Sequence, residues 1–226
     1  AVAAQLAAEV VQNDAAVAAL DRFPFAGAQS ARVEALRAAL RPAVLGGYSL
    51  HPLEVRGQRL DVVVARPHSF GGPRLAFRPH LERAFGVSSL ADSAARLRAL
   101  FDRCTAERIV VLAHNGPTGL GERRTDIWGC DFRRSEGDFG DPDLREALDH
   151  AARTGKRVVA VIAGHMHHAV RGGGERPWRV ERDGTLHVNA ARVPRVFRRA
   201  GQVLRHHVSV EIDERGARAE ERLVPG

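Results

Sequence analysis

The chain has 226 residues of which 44% are apolar, enough for a packed core, which excludes wholesale disorder. It contains no run of about 18 apolar residues, so no membrane-spanning helix is expected. The formal charge is +7, with Lys156 the only lysine. Acidic residues alternate with the arginines, as in Glu181-Arg182-Asp183 and Glu211-Ile212-Asp213-Glu214-Arg215. The basic balance therefore reads as a solvated mixed surface rather than a nucleic-acid face.

In chain order, Ala1 to Leu6 lacks a basic segment ahead of its apolar residues and does not read as a signal peptide. There is no initiator Met, which suggests a processed, trimmed or incomplete chain. Apolar residues at helical spacing predict a helix over residues 3–20 and another over 30–40, with Phe23-Pro24 between them and Pro42 after. Two strands joined by a turn at Arg56-Gly57-Gln58 are expected from Tyr48 to Val55 and from Arg59 to Arg66, the second reading as mostly buried. Short helices are expected around Pro79 to Phe85 and Leu90 to Arg103, then a strand over Ile109 to Ala113. After a Gly-rich loop, Asp141 is placed to cap a helix running to about Thr154, followed by a buried strand over Val158 to Ala163. The rest reads as short strands with turns at Asp183-Gly184, Ala200-Gly201 and Arg215-Gly216. No repeat or linker divides the chain, so a single α/β domain over 1–226 with two sheet regions is expected. Cys104 and Cys130 are far apart and form no metal-type pair, and a reducing cytoplasm is the simplest compartment.

Two apolar runs end at a histidine in a Gly-containing loop: Val110-Val111-Leu112-Ala113-His114-Asn115-Gly116 and Val161-Ile162-Ala163-Gly164-His165-Met166-His167. If these strands are neighbours ending at one sheet edge, His114, His165 and His167 converge. Neutral imidazole suits a transition metal, and a strand end fixes its direction. Gly164 is expected to let the backbone pass close to such a site.

Gly164-His165-Met166-His167 resembles the Gly-His-x-His signature of the calcineurin-like metallophosphoesterases, and Val111-Leu112-Ala113-His114 resembles the histidine-bearing strand end that precedes it in that superfamily. Asn189-Ala190-Ala191 is similar to a segment often found beside the same site. Four stretches resemble a branch known chiefly from cyanobacteria and plants: Ala113 to Gly121, Gly137 to Asp143, Gly164 to His168, and Asn189 to Arg195. Arg66-Pro67-His68-Ser69-Phe70-Gly71-Gly72 also fits that branch. The resemblance runs over roughly residues 44–212.

It implies a four-layer sandwich of two mixed sheets flanked by helices, with two divalent metals (Mn, Fe or Zn) at the sheet edge. His114 and His165 would hold one metal and His167 the other, and all three would be catalytic. Metals about 4 Å apart generate a bridging hydroxide, so the implied reaction is hydrolysis of a phosphomonoester or phosphodiester. His68, Asn115, Arg192 and Arg195 are the candidate substrate contacts, with Asp131 also near the cleft.

The superfamily also uses Asp-x-His, Gly-Asp-x-x-Asp and Gly-Asn-His-Asp or Gly-Asn-His-Glu ahead of this region, and nothing before His114 matches them. Gly137-Asp138-Phe139-Gly140-Asp141 has the second spacing but lies after His114, and is read as a loop and helix cap. The chain is therefore expected to be a C-terminal portion that supplies half a site and has little or no activity alone. Two alternatives are a non-catalytic metal-binding protein of the same fold and, last, a basic nucleic-acid-binding domain. Aromatic residues are only 5% of the chain and do not interleave with a basic run, which argues against the latter.

Overall fold

Strand β1 (Ser49–Val55) and strand β2 (Gln58–Val64) form an antiparallel hairpin in register from Ser49↔Val64 to Val55↔Gln58. In the computed structural model residues 46–55, 57–132 and 137–226 are described, together with Ala31, Ala35 and Ala38 in helical conformation. The helix expected over 3–20, and most of that over 30–40, lie outside these residues. After β2 come helices α1 (Arg78–Phe85) and α2 (Leu90–Arg103), strand β3 (Ile109–Leu112), helix α3 (Pro142–Arg153) and strand β4 (Val158–Ala163). The chain ends with β5 (Arg179–Arg182), β6 (Thr185–Asn189), β7 (Val196–Arg199), β8 (Gln202–Asp213) and β9 (Gly216–Pro225).

Two sheets result. The larger is six-stranded and mixed, in the order β1-β2-β3-β4-β6-β5, with β2, β3, β4 and β6 parallel. The smaller, β7-β8-β9, is antiparallel. Strands β8 and β9 are longer than the sequence pattern suggests, at 12 and 10 residues. Their apolar face, with Val208, Val210, Ile212, Ala217 and Ala219, is interrupted by His206 and Glu221, and only the pairing shows one continuous hairpin.

Each layer follows from where the apolar residues fall. On α2 the buried positions are Ser93, Ala94, Leu97, Leu100 and Phe101, and on α3 they are Asp143, Leu144, Ala147, Leu148 and Ala151. Both sets form one helical stripe, which packs against Val63, Ile109, Val111 and Val161 of the large sheet. The opposite sheet face presents Val110, Ala160, Leu186 and Val188 to Val208, Val210, Ile212, Ala217 and Ala219 of the small sheet. Strands β3 and β4 are covered on both sides, which is why they read as unbroken apolar runs. The described residues thus make three layers, helices on sheet on sheet. A fourth layer, implied by the resemblance, is not among them.

Helix α2 starts at Ser89, whose side chain accepts from Asp92 N at 3.0 Å, while Asp92 accepts from Ser88 N and Oγ. This reciprocal arrangement satisfies one free amide of the first turn and ties down the residue before the cap. Asp61 does similar work at the start of β3, accepting from Thr105 N and Ala106 N at 2.7 and 2.8 Å.

His187 lies in β6 between Leu186 and Val188, which face the small sheet, so its ring points the other way. It is buried, and burial, with Arg145 adding to it, pushes its pKa down to about 4. An unfolded chain takes up this proton near pH 6.5, whereas the folded chain resists until about pH 4. Stability from His187 is therefore full above pH 6.5 and lost as the pH falls. Between pH 6.5 and 5 the loss is about 2 kcal/mol. Urea unfolding at the two pH values should show this drop, and His187→Gln should reduce it; an unchanged pH dependence would contradict it.

Candidate functional site

Strands β2, β3 and β4 run side by side in parallel, so their C-terminal ends share one edge of the sheet. Hydrogen bonds carry the ladder past the strands: Ala65 N to Leu112 O at 2.7 Å, Ala113 N to Ile162 O at 3.0 Å and Gly164 N to His114 O at 3.0 Å. The expectation that the β3 and β4 histidines meet follows directly. His114 Nε2 and His165 Nδ1 are 3.3 Å apart, and their rings are 5.1 Å centre to centre.

Both rings are held in the form that can bind a metal. Burial, with help from His114, pushes His165 down to about 4, and a hydrogen bond to the Phe70 backbone opposes this. A neutral imidazole has one N–H; with that directed at the Phe70 carbonyl, the other nitrogen keeps its lone pair. His114 has an outer edge open to solvent, yet partial burial and then the Arg66 charge hold its pKa below the usual histidine value.

His165 adopts φ 70°, a left-handed conformation that disfavours a side chain. Such strain costs roughly 1–3 kcal/mol and persists where the surroundings enforce it, often at functional sites. The close approach expected at Gly164 is modest, since a Cβ there would meet Ala191 Cβ at an ordinary 3.7 Å. Gly116 does need glycine, since a Cβ would enter the Trp128 ring, and so does Gly71, where one would run into Phe139 O.

Two buried side chains that sequence reasoning undervalued hold the His165 loop. Asn189 Nδ2 donates to Met166 O at 2.6 Å while Asn189 Oδ1 accepts from Ala191 N at 3.1 Å. Arg176 donates to His167 O at 2.7 Å and to Gly129 O at 2.6 Å, and pairs with Asp131 at 3.3 Å. Arg176 is one of many arginines in the sequence, and only its burial distinguishes it.

Beneath the pair lies a polar cluster. Arg66 is 1% exposed, and its Nη2 lies 2.9 Å from both Asp141 Oδ1 and Asp143 Oδ1. Asp143 accepts from Ser93 Oγ, and Ser93 is 2.7 Å from the Tyr48 hydroxyl. Asp141 accepts from Ser69 Oγ at 2.5 Å and from Asn115 Nδ2 at 3.5 Å. Burial pushes the Asp141 carboxyl up, to about 7, although Arg66 pulls the other way. Asp143, which shares the same guanidinium, adds to the upward shift. Asp141 thus stands at the N-cap position of α3 without capping it, because its carboxyl is turned into the cluster. Asp138 is a loop residue, accepting from Gly119 N and from Gly140 N.

The other candidate residues are dispersed. His167 is exposed, and among the described residues no group of three or more His, Cys, Asp or Glu is arranged to hold a metal ion. Asn115 is fully buried and donates to Phe139 O at 2.7 Å. His68 packs against Phe77 and His80 at ring distances of 5.3 and 5.1 Å, and Phe70 lies 5.9 Å from His165. Arg192 sits over Phe197 at 5.1 Å and 3.7 Å from Glu221, while Arg195 donates to Ala190 O at 3.1 Å. His168, His187 and His206 are buried, as expected of structural histidines. Cys104 and Cys130 are free and buried. No helix among the described residues is long and apolar enough to cross a membrane.

Among solved structures the chain resembles the sulfate thiohydrolase SoxB of Thermus thermophilus, in complex with glycerol. The two share 19% identity at a TM-score of 0.41, covering 86% of this chain and 30% of that one. A hypothetical protein, also from Thermus thermophilus, is similar at 15% identity and a TM-score of 0.40, covering 78% of this chain and 61% of that one. The chain therefore spans less than two thirds of either protein. The likeness is distant and says nothing of chemistry. No family model and no curated protein sequence matches the chain.

Removing a partner from a buried charge cluster and removing an exposed histidine have different costs. Asp143→Ala should destabilise by about 3–5 kcal/mol, because Arg66 loses half its pairing. His114→Ala and His167→Ala should change stability by within about 0.5 kcal/mol. Denaturant unfolding of the three variants checks this, and a large loss in either histidine variant would assign that histidine to the scaffold.

Proposed function

We propose that this chain supplies His114, His165 and His167 to a metal-dependent phosphoesterase site. The observation that supports this most is the His114–His165 pair: neutral rings at adjacent parallel strand ends, one on a strained backbone. The motif resemblance adds the reaction class, hydrolysis of a phosphomonoester or phosphodiester. The pair fits part of one ion's coordination. The described residues do not complete it, because among them no third His, Cys, Asp or Glu is arranged with the two rings to hold an ion. The remaining ligands would come from outside these residues, so the complete activity belongs to a larger assembly of residues. A metal bound there would supply Lewis acidity.

This chain's own groups would then have distinct tasks. His114 and His165 hold the ion through their lone-pair nitrogens, and the Phe70 carbonyl orients His165. His167, exposed on the same loop, takes a second ion. Arg192 and Arg195, on the segment after Asn189, contact substrate phosphate by exchanging their present partners for it. His68 lines the approach, and Asn115 holds the turn beside His114.

A second reading is non-catalytic metal binding, favoured by the lack of a third ligand among the described residues. One experiment separates the two. Hydrolysis of bis-p-nitrophenyl phosphate is followed with added Mn or Zn, with a chelator and in His165→Ala. Slow turnover that falls at least tenfold with chelator and in the variant supports the phosphoesterase. Turnover indifferent to both rejects it, and metal binding without turnover, in this chain and in any longer protein that carries it, selects the second reading.

A further inference from the structure

Arg66 uses only one of its three nitrogens. Its Nη2 bridges Asp141 and Asp143, while Nε and Nη1 are buried with no hydrogen-bond partner among the described residues. Asn115 shows the complementary lack: its Nδ2 is engaged by Phe139 O and Asp141 Oδ1, while its buried Oδ1 has no partner among them. Buried polar groups are almost always paired once ordered water is counted, and a buried water needs at least two polar partners. Here donors and an acceptor remain on two side chains that already meet at a single oxygen, Asp141 Oδ1.

The connection reaches the histidines through short covalent steps. Asn115 follows His114 directly, and the next carbonyl, Gly116 O, accepts from Asp141 N at 2.7 Å. The loop after β2 is held by the same carboxyl, since Ser69 donates to Asp141 and also accepts from Gly71 N at 2.8 Å. Arg66 therefore lies where the β2 loop, the β3 loop and the start of α3 come together. Its charge is also felt by His114.

We propose that Arg66 is a positioning residue for the histidine pair, setting His114 against His165 through the Asp141–Asn115 bridge and a buried water between Arg66 and Asn115. The functional meaning of this rests on the reading of His114 and His165 as metal ligands. A buried Arg–Asp pair that only stabilised the fold would hold α3 to the sheet without fixing the ring contact. Under the proposal, loss of the bridge separates the rings while the far side of the molecule stays intact.

The test uses the whole chain with labelled histidine and two variants. Arg66→Lys keeps the charge on a single nitrogen but removes the Nε and Nη1 donors that the water needs, and Asn115→Leu removes the bridge while filling its space. The readout is the nuclear Overhauser cross-peak between the His114 and His165 rings, with β8–β9 amide cross-peaks as the internal reference. A ring cross-peak reduced at least threefold in both variants, with the β8–β9 peaks unchanged, supports the proposal. An unchanged ring cross-peak in either variant overturns it. If Arg66→Lys does not fold, Asn115→Leu decides alone. Manganese-induced broadening of the two wild-type ring signals tests the metal reading separately. Broadening in the wild type with ring contacts indifferent to both variants overturns the positioning and leaves the metal reading. No broadening, with ring contact still dependent on Arg66, removes the metal reading and supports the positioning.

Discussion

One buried guanidinium ties the layers together beneath the site. Arg66 lies at the end of β2, and its two carboxyl partners lie at the start of α3, so one side chain ties the sheet edge to the helix layer. Burying such a charge is unfavourable unless its partners are close and well placed. That requirement explains why Asp143 occupies an otherwise apolar helix face and why Asp141 is withdrawn from capping. It also explains the companions at each carboxyl: Ser69 and Asn115 for Asp141, Ser93 and then Tyr48 for Asp143. Exchanging Ser93 for an apolar residue would leave the Tyr48 hydroxyl without the partner it has here.

Above this cluster the sheet edge does the chemical arranging. Parallel pairing of β3 with β4 brings His114 beside His165, and the surrounding hydrogen bonds keep His165 in a backbone conformation it would otherwise avoid. Asn189 and Arg176 hold the same loop from the other side. The result is a convergent pair of neutral imidazoles on a rigid support, with His167 exposed one residue beyond Met166. Under the proposed reading the pair is part of a ligand set, and among the described residues no group of three or more His, Cys, Asp or Glu is arranged to hold an ion.

Much of this is legible from sequence. The strand Val158 to Ala163 can be read to the residue, and that over Ile109 to Ala113 to within one, because strands covered on both faces leave unbroken apolar runs. The turns at Asp183-Gly184 and Ala200-Gly201 are legible from the glycines that take positive φ there. The meeting of His114 and His165 is also foreseeable, since two like strands ending at histidines are natural neighbours. Other features are not visible. Arg66 looks like one arginine among many, and a buried ion cluster has no local pattern because its partners lie far along the chain, Asp143 being 77 residues away. Asp141 looks like a cap, as its position suggests, because only tertiary contact redirects the carboxyl. The strain at His165 has no sequence signal, since glycine is the residue expected at such a φ.

The central claim is that the His114–His165 pair is a metal-ligand pair presented by the sheet edge. Zinc binding at equilibrium, measured on the wild-type chain and on His114→Ala and His165→Ala, tests it most directly. The account predicts bound zinc in the wild type that is lost in both variants while their circular dichroism is unchanged. Zinc uptake equal in all three proteins, or none above background in the wild type, would contradict it.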